Sequence, residues 1–261
     1  DGELVGADLI GDHVADEEPP EVATAAPLPA TISLAKTAKH RRRGLDRQSP
    51  SGFEGGTRVN IAELFQPRLS AALARGTLIH AWFEQVKWTE EPTPNDKVLR
   101  HVADQVRRGE ASTLDVEHEL AAFRQMLQHP AIVEALSQAA YETPAKLGFE
   151  SSVDDALSNV KPRLVVENER TFAVRNDSQL LNGSIDRIVW IYAGERLVAA
   201  DIIDFKTDLV EDDDAIDKKR EYYRPQLESY RDAVCRMSGL TTQQVIARLV
   251  FVGRGLVVRV C

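Results

Sequence analysis

Two apolar segments separated by a short turn constrain the fold of this chain most strongly. Residues 184–192 and 197–205 are rich in Ile and Val, and the sequence Ala-Gly-Glu-Arg lies between them. Such runs bounded by turn residues are typical of β-strands, and the short connection predicts an antiparallel hairpin. With its tip near Gly194, positions whose numbers sum to about 389 or 390 face each other. Asp186 is therefore predicted to lie opposite Asp204 or one residue away.

A helical pattern precedes this hairpin. Residues at helical spacing fall on one face: Leu69, Leu73, Gly76, His80 and Phe83. This spacing predicts an amphipathic helix over about 67–87, with His80 turned toward the interior. Residues 95–141 continue in the same style and predict two or three further helices that act as scaffold.

The remaining pattern is mainly β. After about residue 144, residues 163–174 predict one or two further strands, and residues 208–217 form a polar, acidic loop. A helix is predicted over about 222–237, followed by a strand pair that turns near Gly253. Helices and strands in one chain predict a mixed α/β (α+β) fold.

The N-terminal residues 1–56 have a different composition. They mix Ala, Pro, Gly and acidic residues without a sustained period, which predicts a linker or poorly ordered tail. The folded domain is predicted over 57–261, mainly helical over 57–143 and with the sheet over 144–261. The basic cluster at 40–43 is interpreted as solvated, with a phosphate-binding or targeting patch as the alternative.

Composition excludes several classes of protein. A net charge of −9 argues against a protein that coats nucleic acid through its overall field, so any such binding must be local. Cys235 and Cys261 fit neither a disulfide scaffold nor a metal-ligand set, which favours a reducing cytoplasm. The sequence has no long apolar stretch that would predict a membrane span. It also has no signal peptide that would predict export. The chain begins with Asp1, and we expect it to be part of a longer protein.

The predicted hairpin gathers groups that could bind a metal ion. Because side chains alternate along a strand, Asp204 and Lys206 project from the same face, beside Asp186. Carboxylate oxygens suit Mg²⁺ or Mn²⁺, and a nearby ammonium could orient a water or stabilise negative charge on a phosphodiester. The alternative interpretation is an ordinary cross-strand salt bridge. Arg187, beside Asp186, is expected to contact DNA phosphate or to pair with Asp201.

Two helical positions add to this hypothesis. His80 follows Gly76 by one turn, where the missing side chain would let a phosphate or strand approach, although His80 could also be a core residue. Gln226 and Tyr230 share one helix face and could reach the same pocket, or could form a packing pair.

Taken together, four ordered motifs carry a resemblance. Gly76-Thr-Leu-Ile-His80, Gly183-Ser-Ile-Asp186-Arg, Asp204-Phe-Lys206-Thr207 and Gln226-Leu-Glu-Ser-Tyr230 resemble the nuclease domain of the RecB and AddA proteins, within the PD-(D/E)XK nuclease superfamily. The resemblance runs from about residue 75 to residue 250. A weaker match, residues 167–172, resembles the family's Glu-bearing strand and includes Glu169.

The resemblance implies a restriction-endonuclease-like mixed sheet flanked by helices, and it implies roles for individual residues. His80, Asp186 and Asp204 would bind the metal, with the backbone carbonyl of Phe205 completing the shell, and Lys206 would be the catalytic lysine. Substrate-binding or auxiliary roles would fall to Gln226, Tyr230, Thr207 and Glu169.

The resemblance also implies an activity and partners. The activity would be a Mg²⁺-dependent deoxyribonuclease, an exonuclease in our interpretation, with Mn²⁺ able to substitute. A UvrD-type helicase would lie upstream in cis and an AddB- or RecC-like subunit would be a partner, in double-strand-break repair and recombination. The chain itself carries no phosphate-loop motif, and it lacks the cysteine cluster of AddB-like members. The alternatives are a non-catalytic module that binds DNA or a subunit, and a stand-alone enzyme of the Cas4 or phage exonuclease kind.

Overall fold

Strands of one mixed sheet run through the centre of the folded region. The computed structural model describes residues 46–53, 67–109, 114–176 and 179–261. Within these residues the sheet has six strands in the order β1-β3-β4-β5-β6, with β2 paired to β3. The strands are β1 (Asp46–Gln48), β2 (Arg163–Asn176), β3 (Gln179–Ala193), β4 (Arg196–Lys206), β5 (Val245–Phe251) and β6 (Leu256–Arg259).

The β3–β4 hairpin has the predicted register. Its ladder runs from Ala193↔Arg196 to Arg187↔Ile203, and most of its pairs sum to 390. Gly194 in the turn has a φ of 62°, a conformation that glycine adopts without strain. The ladder stops at Arg187, so Asp186 is the first residue of β3 beyond it.

Strand β3 is longer than β4, and it pairs with two further strands. Strand β2 covers one edge of β3 over nearly its whole length, and β1 pairs in parallel with residues 179–181 of β3. Residues 46–53, which the sequence placed in the tail, thus form β1 and a 3-10 turn, Pro50–Phe53. The rest of the predicted tail, with the basic cluster at 40–43, lies outside the described residues, and its function as a linker stays a prediction.

Helices before the sheet extend further along the chain than the sequence predicted. The predicted first helix is confirmed as α1, and the scaffold helices follow it. Their bounds are α1 (Pro67–Glu84), α2 (Asp96–Gly109), α3 (Val116–Met126), α4 (Pro130–Ala135), α5 (Pro144–Leu147) and α6 (Ser151–Leu157). A 3-10 turn, Gln138–Glu142, precedes α5. The change to β structure therefore comes at Arg163, because Pro144 begins a short helix instead of ending the helical region.

The helix after β4 also begins earlier than predicted. Helix α7 spans Asp213–Ser238, so part of the predicted acidic loop is helical. Asp212 caps the helix through a hydrogen bond from the Ala215 N–H, and Asp213 and Asp214 occupy its first turn. Carboxylates stabilise this end of a helix, where unpaired N–H groups point outward. The acidic residues 212–214 therefore cap and begin helix α7.

Apolar side chains pack on both faces of the sheet. Helix α7 covers one face, where its Leu227 and Val234 belong to the same buried cluster as Ile188 and Ile202. The helical region covers the other face, with α1 packed against Ile203 and Phe205. Helix α1 is rotated relative to the predicted face: its buried residues include Leu78, Ile79 and Trp82, and Leu73 is 51% exposed. In the described part of the chain, no helix has the length and apolar character needed to cross a membrane.

Candidate metal centre

Helix α1 brings His80 close to strand β3 of the sheet. The helix buries Leu78 and Trp82, which leaves His80 at the border of the buried face with 30% of its side chain exposed. Its Nδ1 lies 3.3 Å from Asp186 Oδ2. Burial lowers the pKa of His80, but the hydrogen bond to Asp186 and the charges of Asp186 and Asp204 outweigh it and raise the pKa above its ordinary value.

Glu169 on β2 lies opposite Asp186 on β3. The β2–β3 ladder keeps one register on both sides of this position, but the two residues themselves do not form a ladder pair. Glu169 has a φ of 49°, which is uncommon for a residue other than glycine and costs backbone strain. Ser184 Oγ donates a hydrogen bond to Glu169 Oε2 at 3.0 Å. Burial, together with the charge of Asp186, raises the pKa of Glu169.

His80, Glu169 and Asp186 together form a group that could hold a metal ion. Each residue offers one ligand atom, and these atoms all lie within 4.8 Å of one another. An imidazole nitrogen and carboxylate oxygens form a donor set suited to divalent ions such as Mn²⁺. Glu169, which the sequence indicated through a weak match and as an auxiliary residue, thus belongs to the same cluster as two predicted ligands.

Asp204 is buried beside this cluster. Burial raises its pKa to about 6, and the charge of Asp186 adds to the increase, while Lys206 opposes it. Its Oδ2 lies 2.8 Å from Lys206 Nζ, yet within the described residues this oxygen has no hydrogen bond of suitable geometry. A buried carboxylate oxygen in this state can accept a further cationic partner.

Side chains of helix α7 hold the Lys206 ammonium group in place. Its Nζ donates a hydrogen bond to Gln226 Oε1 at 3.0 Å, and Gln226 Nε2 donates to Tyr230 OH at 3.1 Å. Both residues of α7 are buried, and they lie one helical turn apart. Of the predicted auxiliary pair, Gln226 therefore contacts Lys206 directly, and Tyr230 is linked to Lys206 through Gln226.

A second contact of Lys206 was missed in the sequence. Its Nζ lies 3.9 Å from the ring centroid of Tyr223, whose OH donates a hydrogen bond to Asp208 Oδ2 at 2.7 Å. Lys219 pairs with the other oxygen of Asp208. Burial favours a higher pKa for Asp208, but the hydrogen bonds from Lys219 and Tyr223 outweigh it and lower the pKa. The signal was available, because Tyr223 shares a helical face with the two predicted auxiliary residues.

Two glycines of the motifs lie in close contacts. A Cβ built at Gly76 would lie 3.4 Å from Thr207 Oγ1, so helix α1 approaches the end of β4 closely at this point. A Cβ at Gly183 would lie 2.9 Å from Pro50 and 3.2 Å from the Phe172 ring. At Gly76, the helix that carries His80 lies beside Thr207 at the end of the strand that carries Asp204, and a Cβ there would make an ordinary van der Waals contact.

A comparison with family models agrees with this geometry. The model described as the PD-(D/E)XK nuclease superfamily matches residues 50–259. The chain belongs to the PD-(D/E)XK nuclease superfamily. A search of curated proteins finds no match to it. Membership in the superfamily supports nuclease activity with a divalent metal ion and DNA as the substrate.

Arg187, which follows a predicted ligand, has neither of the roles considered for it. It was expected to contact DNA phosphate or to pair with Asp201. Arg187 is instead buried, with 1% of its surface exposed. It donates hydrogen bonds to the carbonyls of Val86 and Lys87 and to Asn168 Oδ1. Burial lowers the pKa of Arg187 to about 10, so the side chain stays charged at neutral pH.

Asp201 has other partners on the same face. Arg248 donates hydrogen bonds to both of its carboxylate oxygens, and Tyr141 OH donates to Oδ2 at 2.7 Å. All three side chains are buried. This group links α-helical and β regions of the superfamily domain, because Tyr141 lies in the 3-10 turn before α5.

Proposed function

We propose that this chain is a divalent-metal-dependent deoxyribonuclease domain whose metal ligands include His80, Asp186 and Asp204, with Lys206 as the catalytic lysine. The observation that carries the proposal is the convergence of one ligand atom from each residue of the three-residue cluster, all within 4.8 Å of one another, beside the Asp204–Lys206 ion pair. That cluster contains Glu169 beside Asp186, so we include Glu169 among the residues that hold the ion. The donor set fits a hard divalent cation.

The ion and the chain supply different parts of the reaction. A divalent ion at this position would polarise the phosphodiester and lower the pKa of a water bound to it. Lys206 supplies a fixed positive charge where negative charge develops on the phosphoryl group. Gln226, Tyr230 and Tyr223 restrict the position of its Nζ, because they contact it, or each other, from one helix.

The finer identity is also part of the proposal. The order of the motifs around His80, Asp186, Lys206 and Tyr230 supports a RecB- or AddA-type nuclease that prefers Mg²⁺ and acts as an exonuclease. From this resemblance we further propose a UvrD-type helicase in cis, an AddB- or RecC-like partner, and a cytoplasmic role in double-strand-break repair and recombination. The residues before β1 would be the tether between motor and nuclease.

A nuclease assay with four substitutions tests the activity. Linear duplex and single-stranded DNA are incubated with Mg²⁺ or Mn²⁺, and loss of DNA is compared for the unaltered chain, Asp204→Ala and Lys206→Ala. Lys218→Ala and Asp232→Ala are matched controls, since both residues are exposed on α7. Loss of activity in the first two variants alone supports the proposal. Equal degradation by every variant would identify a contaminating nuclease and reject it.

The same variants separate the enzyme from a non-catalytic module. A module that keeps the nuclease fold to bind DNA would show no metal-dependent DNA loss in any variant, while DNA binding persisted. The presence of Asp204 and Lys206 beside the three-residue cluster favours the enzyme. A stand-alone nuclease would have no helicase motifs in the gene upstream of residue 1, and sequencing that region distinguishes it from a helicase-nuclease.

A further inference from the structure

The C-terminal end of helix α1 is bound by side chains from the sheet. Asn168 Nδ2 donates hydrogen bonds to the carbonyls of Glu84 at 2.7 Å and Val86 at 3.1 Å. Arg187 Nη1 donates to the same Val86 carbonyl at 3.0 Å, and its Nη2 donates to Lys87. The carbonyl of Glu84 ends α1 and has no partner within the helix, whereas Val86 and Lys87 belong to the segment that leaves it, so these donors hold both the helix end and the chain that follows.

The two donors form one unit across two strands. Asn168 on β2 and Arg187 on β3 are register partners, and Arg187 Nη1 also donates to Asn168 Oδ1 at 3.2 Å. Each adjoins a residue of the metal cluster, since Asn168 precedes Glu169 and Arg187 follows Asp186. Residues 168–169 of β2 and 186–187 of β3 therefore carry two carboxylates of the metal cluster. The same residues also bind the end of the helix that carries His80.

Burying the charged side chain of Arg187 costs desolvation free energy that a residue with only a packing role would not require. Its guanidinium lies over the Trp88 ring, 4.9 Å from the centroid, and its Nε has no hydrogen-bond partner among the described residues. An apolar side chain of similar volume could fill such a site without the desolvation cost of a charge. The fork of donors, by contrast, fixes where the carbonyls of Val86 and Lys87 must lie.

We propose that Asn168 and Arg187, the α1 clamp, position His80 for metal binding. His80 lies one helical turn before Glu84, the first carbonyl that the clamp binds, so a shift of the helix end moves the imidazole with it. Metal–ligand distances tolerate deviations of only about 0.2 Å. The inference rests on the proposed metal site, because a clamp on His80 matters to metal affinity only if His80 is a ligand.

A double-mutant cycle on metal affinity tests the clamp. Binding of Mn²⁺ alone, without DNA, is measured by calorimetry for the unaltered chain, Asn168→Ala, His80→Ala and the double variant. Changes to groups that orient metal ligands commonly cost about 10- to 100-fold in affinity. We expect Asn168→Ala to weaken Mn²⁺ binding about tenfold alone and to have no further effect when His80 is already Ala. An equal loss in both backgrounds, or no loss in either, would overturn the clamp.

Controls separate positioning from general destabilisation. Val165→Ala lies on the same strand and packs against the α7 side of the sheet, so it should lower thermal stability without changing the Mn²⁺ affinity. Asn168→Asp keeps the size of the side chain but removes its donors to Glu84 and Val86, and it serves if Asn168→Ala fails to fold. Asn168→Asp should weaken Mn²⁺ binding where His80 is intact, and normal affinity would count against the clamp.

The result also separates this inference from the proposed function. If His80→Ala leaves Mn²⁺ binding unchanged, the proposed ligand set is wrong whatever Asn168→Ala does. If His80→Ala weakens binding but Asn168→Ala does not, the ligand set stands and the clamp fails.

Discussion

The backbone N–H of Phe205 donates a hydrogen bond to Asp186 Oδ2 at 2.8 Å. The residue between Asp204 and Lys206 is thereby joined to the carboxylate on the neighbouring strand, at the point where the β3–β4 ladder has ended. The same oxygen lies 3.3 Å from His80 Nδ1. Asp186 therefore connects helix α1 with strands β3 and β4, and its loss should have more than one consequence.

Two substitutions of Asp186 separate those consequences. Asp186→Asn keeps an acceptor for the Phe205 N–H but removes the charge, so we expect near-normal thermal stability and Mn²⁺ binding weakened by more than about tenfold. Asp186→Ala removes both and should also lower the melting temperature. Calorimetry and thermal unfolding measure the two effects, and equal metal affinity in Asp186→Asn and the unaltered chain would contradict the ligand assignment.

The pKa values at the site predict how stability depends on pH. The folded state raises the pKa of Asp204 from 3.8 to about 6 and raises that of His80 above 6.5. The fold thus favours both protonated forms, and the stability they contribute is complete at low pH and is lost as pH rises through the folded-state values. The melting temperature without metal should therefore fall from about pH 4 to about pH 6 as Asp204 loses its proton, and again above about pH 6.5 as His80 does.

Metal binding should have the opposite dependence. A cation binds the ionised carboxylates and neutral imidazole, so Mn²⁺ affinity should rise over the same interval. Thermal unfolding across this range, with and without Mn²⁺, checks both trends. Asp204→Asn removes the share of the metal-free decline that comes from this carboxyl group. A melting temperature that rises with pH in the absence of metal would show that the pKa shifts have the wrong sign.

The Tyr223 ring should position Lys206. Tyr223→Leu removes the aromatic face 3.9 Å from Nζ, and a cation–π contact of this kind contributes about 0.5–2 kcal/mol. We expect kcat to fall several-fold to about 30-fold with KM little changed, whereas Tyr223→Phe keeps the ring and most of the activity. Tyr222→Leu is the matched control, because that ring faces Lys219. Comparable losses in Tyr222→Leu and Tyr223→Leu would mean that the ring acts through packing.

Gly183 should not tolerate a side chain. A Cβ there would meet both Pro50 and Phe172, and overpacking typically costs about 1–3 kcal/mol. Gly183→Ala should therefore lower the free energy of unfolding by about that amount and displace the 3-10 turn that begins at Pro50. Gly253→Ala is the control, since nothing lies within 4 Å of its built Cβ. Urea unfolding measures both, and equal midpoints for the two variants would refute the predicted crowding.

Local sequence rules predicted the hairpin and its chemical groups well. Strand alternation and the position of Gly194 were sufficient for the register, which in turn placed Asp186 near Asp204 and set Lys206 beside Asp204. These relationships depend on residues that are near in sequence. The rotation of α1 depends on tertiary packing, so of the face that the pattern predicted, Phe83 is buried while Leu73 is exposed.

Other features depended on contacts that sequence patterns do not encode. The carbonyls that hold Arg187 lie about a hundred residues before it in the chain, so its side chain was assigned to phosphate or Asp201 instead. The acidic run before α7 was interpreted as a loop, although Asp212 is a helix cap. Glu169 carried little weight in the sequence, because its backbone conformation and its approach to His80 appear only in the folded chain.

The left-handed backbone at Glu169 has an evolutionary consequence. Glycine or asparagine would occupy a φ of 49° with less strain, so either replacement is a route to a more stable protein. Each replacement would also delete a carboxylate from the cluster with His80 and Asp186. Laboratory selection for heat resistance alone should therefore enrich substitutions at this position, and selection for DNA cleavage should remove them.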